Sequence, residues 1–296
     1  MGKIGQVKVA AAQMDPKLGK LDENLDKILS MIDEAAGNKV KLVVFPECAL
    51  TGYVFTSAEE AEEVLETIPG PSSDRVAAAA KKNNIYVVYG TLEKNGNKIH
   101  NTAVLVGPEG IIGTYRKIQP PHMGIDHFCE QGADVPRIFK TAIGNIGMMI
   151  CMDTAFPEHA RSLALAGADI FAVPTNTPAG TEYIVKAVQP TRAFENHCFN
   201  IYSNRCGTEE GNRGTFMGMS MIIDVWGEIL TEASITTLDG STQAKEELIF
   251  SVIEPEQALD KRVGGTGWWC DMWEARRPEL YSALSRPKSK DSSSSG

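Results

Sequence analysis

Apolar residues fall along this chain in two rhythms. Val7–Ala12 is a short β-prone run that stops at Pro16, and Leu21, Leu25, Ile28, Leu29 and Ile32 recur at helical spacing over Leu21–Ala36, with Gly37 as a stop signal. Lys41–Phe45 is a continuous apolar stretch ending at Pro46-Glu47, the pattern of a strand buried on both faces. Ser73–Asn83 reads as a helix with Ser72 or Ser73 as its N-cap, and Tyr86–Gly90 as the next strand.

Two hairpins follow. Thr102–Val106 and Ile111–Tyr115 flank Gly107-Pro108-Glu109-Gly110, while Phe139–Ile143 and Ile146–Cys151 flank Gly144-Asn145. Helices are predicted at Pro157–Ala166 and Thr181–Asn196, and strands at Ile170–Pro174, Phe199–Asn204, Phe216–Val225 and Leu248–Ile253. Mixed β-α-β units and hairpins argue for an α/β fold of one or two mixed sheets with helices on the outer faces. No repeat of 20–50 residues is apparent. From Ser285 to Gly296 the sequence turns polar and Ser-rich and is expected to be disordered.

Composition narrows the function classes. The chain has 296 residues, 43% hydrophobic and 23% charged, enough for a sizeable core. Its net charge of −9, with no dense Lys/Arg run, argues against nucleic-acid binding. No apolar stretch approaches the roughly 20 residues a membrane helix needs. The opening Met1-Gly2-Lys3-Ile4-Gly5-Gln6 shows neither a signal-peptide core nor a myristoylation pattern, so a soluble, cytoplasmic protein is expected. Cysteines occur at 48, 129, 151, 198, 206 and 270 without a CxxC pair, and His122 and His127 lack metal-site spacing. Neither a disulfide framework nor a metal is therefore expected.

The informative positions are polar residues at the ends of apolar strands. Glu47 follows LVVFP, Lys117 follows IIGTYR and Cys151 follows IGMMI. In α/β sheets, strand ends deliver side chains from distant parts of the sequence to one site. Cleaving an amide needs a strong nucleophile and an acid for the leaving amine. Cys151 can supply the sulfur, Glu47 can take its proton and return it to nitrogen, and Lys117 with the backbone N–H of Met152 can hold the oxyanion. Residue by residue, structural readings compete: Cys151 as a core thiol, Glu47 as a turn or cap residue, Lys117 as a solvated surface cation.

Taken together, these sites resemble the nitrilase superfamily of carbon–nitrogen hydrolases over roughly residues 5–280. The matching segments are Leu42–Tyr53 (LVVFPECALTGY), Tyr115–Lys117 (YRK), Gly147–Glu158 (GMMICMDTAFPE), Ala168–Asn176 (ADIFAVPTN) and Arg192–Asn196 (RAFEN). The resemblance implies a four-layer αββα sandwich with Glu47, Lys117 and Cys151 at the sheet ends, and no metal or organic cofactor. It implies a single domain over residues 1–284 and homodimers in which the arm at about 260–284 crosses to the partner. Gly264–Trp273 (GGTGWWCDMW) suits such an arm, or equally a tail folded back on its own domain. It also implies a second carboxylate after the lysine, with Asp126 as first choice and Glu130 as second.

Substrate expectations follow from the same likeness. Asp153, two residues after the cysteine, favours amides over nitriles, and Thr154, Ala155 and Phe156 stand where a carboxylate-binding Arg is common in related branches. The expected substrate is a small amide without a carboxylate near the pocket, unless Arg192, Arg205 or Arg213 reaches in. The expected reaction runs through a cysteine acyl-thioester and releases ammonia or an amine. Tyr53, Thr175 and Asn176 match substrate-pocket positions, with His127, Phe128 and Trp269 as weaker choices. A nitrilase or an N-carbamoyl amide hydrolase on the same scaffold, and more remotely a non-catalytic interaction scaffold, are the alternatives.

Overall fold

Successive residues of the first strands serve two different cores in the computed structural model, which describes residues 4–209, 211 and 213–286. Strand β1 (Val7–Gln13) turns Val9 and Ala11 into one apolar layer and Ala10 and Ala12 into another. The division repeats in β2 (Leu42–Val44), β3 (Tyr86–Asn95) and β4 (Lys98–Gly107), where Leu42, Val44, Val88 and Leu105 face one way and Val43, Val87 and Val104 the other. Side chains alternate across a strand, so one buried on both faces must be apolar at consecutive positions.

Two long helices cover the outer side of this sheet. Leu25, Ile28 and Ile32 of α1 (Leu21–Gly37), and Val76 and Ala80 of α3 (Pro71–Asn83), join Ala10, Val43 and Val87 in one cluster. Between them lies the single turn α2 (Ala58–Ala61). β5 (Gly110–Arg116) and β14 (Glu247–Ile253) complete six strands in the order β14-β1-β2-β3-β4-β5, with the β1–β2 and β2–β3 pairs parallel.

The second sheet is built from β6 (Ile138–Thr141), β7 (Gly144–Met148), β8 (Ile170–Thr175), β9 (Phe199–Asn204), β12 (Met221–Ile223) and β13 (Ile229–Glu232). Its order is β13-β12-β9-β8-β7-β6, with β7, β8 and β9 parallel. Ile146, Met148, Ile170, Ala172 and Ile201 pack face to face with Val9, Val44, Val88 and Leu105. On the far side, α4 (Pro157–Leu165) packs on α5 (Glu182–Asn196), which lies on β9 and β12. The result is the expected αββα sandwich of two mixed sheets. β10 (Cys206–Thr208) and β11 (Thr215–Met217) form a separate ribbon.

From Asp260 onward the chain forms a second unit. It contains the hairpin β15 (Arg262–Gly265) and β16 (Trp268–Asp271), whose Trp268 and Trp269 are 62% and 69% exposed. A 3-10 turn, Ser282–Ser285, occupies the first residue of the tail expected to be disordered, and residues 287–296 of that tail lie outside the described ones. Among the described residues no helix is long and apolar enough to cross a membrane.

Several local expectations are corrected. The N-cap of α3 is Gly70, and Ser73 instead accepts the Gly70 N–H at 2.8 Å. The second hairpin turns at Ala142 and Ile143, pairing Thr141 with Gly144, and β7 ends at Met148 rather than at Cys151. The run Phe216–Val225 breaks into β11 and β12 because Gly218 and Met219 take φ of 70° and 59°. In the first hairpin a bulge lies between Leu105 and Val106: Val106 pairs with Ile111 but Leu105 with Gly113, leaving Ile112 as the extra residue.

One glycine fixes how the first sheet meets the turn after β2. A Cβ on Gly90 would lie 2.4 Å from Cys48 N, 2.6 Å from Glu47 Cα and 2.7 Å from Pro46 O. All three are backbone atoms that cannot swing aside. The strand also bonds the turn directly, Gly90 N–H to Pro46 O at 3.1 Å and Leu50 N–H to Gly90 O at 3.2 Å. Gly90→Ala is therefore expected to destabilise the protein by about 1–3 kcal/mol, read as a lower melting temperature. Gly37→Ala, with nothing within 4 Å of its new methyl group, should leave it unchanged or raised.

Candidate active site

Three chain segments converge, each by a different local device. Glu47 sits in the turn after β2, where Cys48 takes a φ of 47° and Gly90 allows the close approach. Lys117 follows β5 directly, its N–H bonded to Asn101 O at 2.8 Å. Cys151 is not attached to a strand end; it opens the 3-10 turn Cys151–Ala155 with a φ of 47°. A left-handed backbone at a residue with a Cβ stores of order 1–3 kcal/mol and persists only where its surroundings enforce it. Here Met149 N–H bonds Ala172 O at 3.2 Å, Asp153 N–H bonds Ile150 O at 3.0 Å, and Thr154 Oγ1 bonds Cys151 O at 2.8 Å.

The charged groups form one enclosed cluster. Lys117 Nζ lies 2.6 Å from Glu47 Oε1 and 2.6 Å from Asp126 Oδ2, with the Glu47 and Lys117 side chains 0% and 1% exposed. Asn101 Nδ2 donates to both carboxylates, at 2.7 Å to Glu47 Oε1 and 2.9 Å to Asp126 Oδ1. The Tyr53 hydroxyl donates to Asp126 Oδ2 at 2.7 Å. Asp126 arrives on the 3-10 turn Gly124–His127, which lies close on Tyr53: a Cβ on Gly124 would meet Tyr53 O at 2.8 Å. Glu130 is elsewhere, half-exposed and 3.6 Å from Lys98. Asn101 went unnoticed in the sequence because its only signal is a polar residue opening an otherwise apolar run.

Two carboxylates face one ammonium, and burial and charge shift Glu47, Lys117 and the nearby Cys151. Burial pushes the Glu47 carboxyl above its ordinary value, opposed by Lys117 and reinforced by Asp126. Burial pulls the Lys117 ammonium down, yet the Glu47 carboxylate and its neighbours prevail and hold it well above the usual value. The Cys151 thiol is pushed up to about 12, by burial first and the Glu47 charge second, against the Lys117 ammonium and an N–H bond from the Asn176 backbone. At neutral pH the sulfur therefore keeps its proton, and Glu47 Oε2 is buried without a partner.

Cys151 opens onto a cavity of about 200 Å³. Tyr53, Thr175 and Asn176 stand on its wall with Met152, as the sequence reading grouped them, and Ile184, Val185 and Val188 of α5 make an apolar side. Both amide atoms of the buried Asn176 side chain lack a hydrogen-bond partner. Glu47, Lys117 and Asp126 are enclosed in the protein rather than on the wall.

No arginine reaches in among the described residues. Arg192 Nε binds Thr154 O at 2.8 Å, Arg205 pairs with Asp15 and Glu209, and Arg213 pairs with Glu60. His127 and Phe128 are also off the wall, and Trp269 belongs to the C-terminal unit. Among the described residues there is no cluster of three or more His, Cys, Asp or Glu able to hold a metal.

The chain is similar to known proteins over most of its length. The family model described as carbon-nitrogen hydrolase matches residues 8–244. A protein named nitrilase from Pyrococcus abyssi is 37% identical, over 93% of this chain and 99% of its own. An (R)-stereoselective amidase from a Pseudomonas species is 30% identical, over 77% and 81%. A crystal structure of an amidase from Nesterenkonia superposes with a TM-score of 0.76 at 22% identity, covering 96% and 98%. A variant of that amidase carries the acetamide moiety of fluoroacetamide on its active-site cysteine.

The opposed charges around the sulfur give a signed test. Removing the Glu47 anion by Glu47→Gln should move the Cys151 titration below about 12, and removing the ammonium by Lys117→Met should move it higher. Thiolate ultraviolet absorbance, taken as the difference from a matched Cys151→Ala protein, reads both directions.

Proposed function

The chain belongs to the carbon–nitrogen hydrolase family, and from that premise we propose that it hydrolyses small, neutral amides through an acyl-thioester on Cys151. The observation that carries this reading is the Cys151 thiol on the wall of an apolar cavity, in a protein whose carboxylate–ammonium–carboxylate cluster of Glu47, Lys117 and Asp126 is fully enclosed.

Each residue has a role that its surroundings support. As the Cys151 sulfur attacks the amide carbon, its proton passes to the unpartnered oxygen of Glu47. The negative charge that develops on the amide oxygen is met by Lys117 and by the Met152 N–H at the start of the 3-10 turn. Glu47 then gives its proton to the departing nitrogen, which leaves as ammonia or an amine. Water, deprotonated by Glu47, attacks the thioester; the acid leaves as the carbon–sulfur bond breaks, and Glu47 returns the proton to the Cys151 sulfur. Asp126 and Asn101 hold Lys117 and Glu47 against one another, while Tyr53, Thr175 and Asn176 border the substrate.

The acyl pocket sets the substrate class. Its described wall has no guanidinium, so a substrate carboxylate would lose its water without gaining a cation. Amides of apolar acids, in a space of about 200 Å³, fit the α5 side of the cavity. The same reading takes residues 1–284 as one cytoplasmic catalytic chain acting as a homodimer, with the exposed Trp268 and Trp269 of the arm covered by the second copy.

Ammonia release across a panel of primary amides, matched nitriles and N-carbamoyl compounds tests the reaction. Neutral aliphatic amides should be consumed at least about tenfold faster than the ω-amides of dicarboxylates, the factor one unpaired buried charge readily exceeds. Mass spectrometry should find an acyl adduct that is absent in Cys151→Ala. Lys117→Met should lower kcat by about 10²–10³-fold. Undiminished turnover in Cys151→Ala, or a preference for carboxylate-bearing amides, would overturn the proposal.

A further inference from the structure

We propose that Asp153 is a positioning residue, whose carboxylate holds the turn carrying Cys151 in register with the strand end carrying Lys117. The inference rests on the amidase reading for its kinetic consequences, but its geometry stands apart from it.

Asp153 is fully buried, and the three groups that donate to it are all neutral. Oδ2 accepts the Tyr115 hydroxyl at 2.6 Å and the Ile150 N–H at 2.9 Å, while Oδ1 accepts the Gln119 N–H at 2.9 Å. Tyr115 and Gln119 stand two residues before and two after Lys117, and Ile150 immediately precedes Cys151. One side chain thus ties the end of β5, in the first sheet, to the turn after β7, in the second. Tyr115 is braced in turn, its ring edge-on to His159 at 5.3 Å and its hydroxyl accepting the Ile118 N–H at 3.3 Å.

The chemistry of the clamp requires a carboxylate. Three donors converge on two oxygens, so an asparagine would turn an NH2 group toward at least one of them and leave a buried donor unpaired. The turn it holds is strained at Cys151, whose φ of 47° gives it a reason to relax once released. Attack on a carbonyl tolerates little displacement, and an error of about 1 Å can cost about 100-fold in rate. A released sulfur would also meet water, and its titration would fall from about 12 toward the ordinary value near about 8.5.

Tyr115→Phe and Asp153→Asn test this against Tyr86→Phe. Tyr86 supplies a comparable buried hydroxyl, accepting the Ala142 N–H at 3.2 Å between the two sheets, but at the start of β3, away from the Glu47 turn. In Asp153→Asn kcat should fall about 100-fold, and in Tyr115→Phe about tenfold, with KM changed less than about threefold. The pH midpoint of iodoacetamide alkylation at Cys151, followed by peptide mass spectrometry, should drop in both. Tyr86→Phe should keep wild-type kcat and alkylation midpoint.

If Asp153→Asn fails to fold, the Tyr115→Phe result alone decides. Wild-type kcat and an unmoved alkylation midpoint in a folded Tyr115→Phe would overturn the proposal, as would equal effects in Tyr86→Phe. A wild-type protein that turns over no amide would instead refute the reaction, while the alkylation midpoints would still decide on the clamp.

Discussion

The ammonium of Lys117, enclosed between Glu47 and Asp126, is the constraint around which the two sheets are arranged. An ion pair removed from water costs several kcal/mol per charge before attraction and hydrogen bonds offset it, and apolar residues of the same volume would often be more stable. With two anions for one cation, the cluster is tighter still in its demands. Asn101 satisfies both carboxylates with one amide group, and Tyr53 takes a further lone pair of Asp126. What remains unsatisfied is the second oxygen of Glu47, the atom nearest in chemistry to a proton acceptor. The arrangement costs stability at that one oxygen, and the proposed mechanism uses it as the base.

Burial also decides in what form the sulfur waits. A thiolate formed in advance would need a stabilising cation of its own, yet the ammonium is already held by two carboxylates, and burial pushes the thiol up to about 12. On the proposed mechanism the sulfur therefore keeps its proton until a substrate arrives. The apolar α5 wall has the same logic, since it adds no charge that would compete for the cluster.

Much of this was legible in the sequence, for identifiable reasons. Strands buried on both faces announce themselves as unbroken apolar runs, so LVVF, IGMMI and IFAV located the sheets, and the polar residue ending each run located the site. Asp126 was named only through the resemblance, which implies a second carboxylate after the lysine without marking which residue supplies it. Other features left no linear trace. The end of β7 at Met148 leaves no mark, because Met149 and Ile150 beyond it are equally apolar and buried. Asn101 and Asp153 matter through partners far away in the chain, and no periodicity records such pairs. Phe216–Val225 reads as one strand, since nothing in its hydrophobicity reveals that Met219 follows Gly218 into the left-handed region.

The bulge at Ile112 carries a consequence for the neighbouring cations Arg116 and Lys117. Side-chain direction reverses with every residue of a strand, so a hairpin closed without the extra residue would set Arg116, not Lys117, opposite Asn101. In the observed register the guanidinium is bonded to Glu93 while the ammonium goes to Glu47. The two basic residues are thus sorted to opposite sides by a single irregularity in pairing. A slipped hairpin would leave composition, charge and the YRK signature untouched, yet it would offer a broad planar fork where the cluster admits only a compact tetrahedral donor.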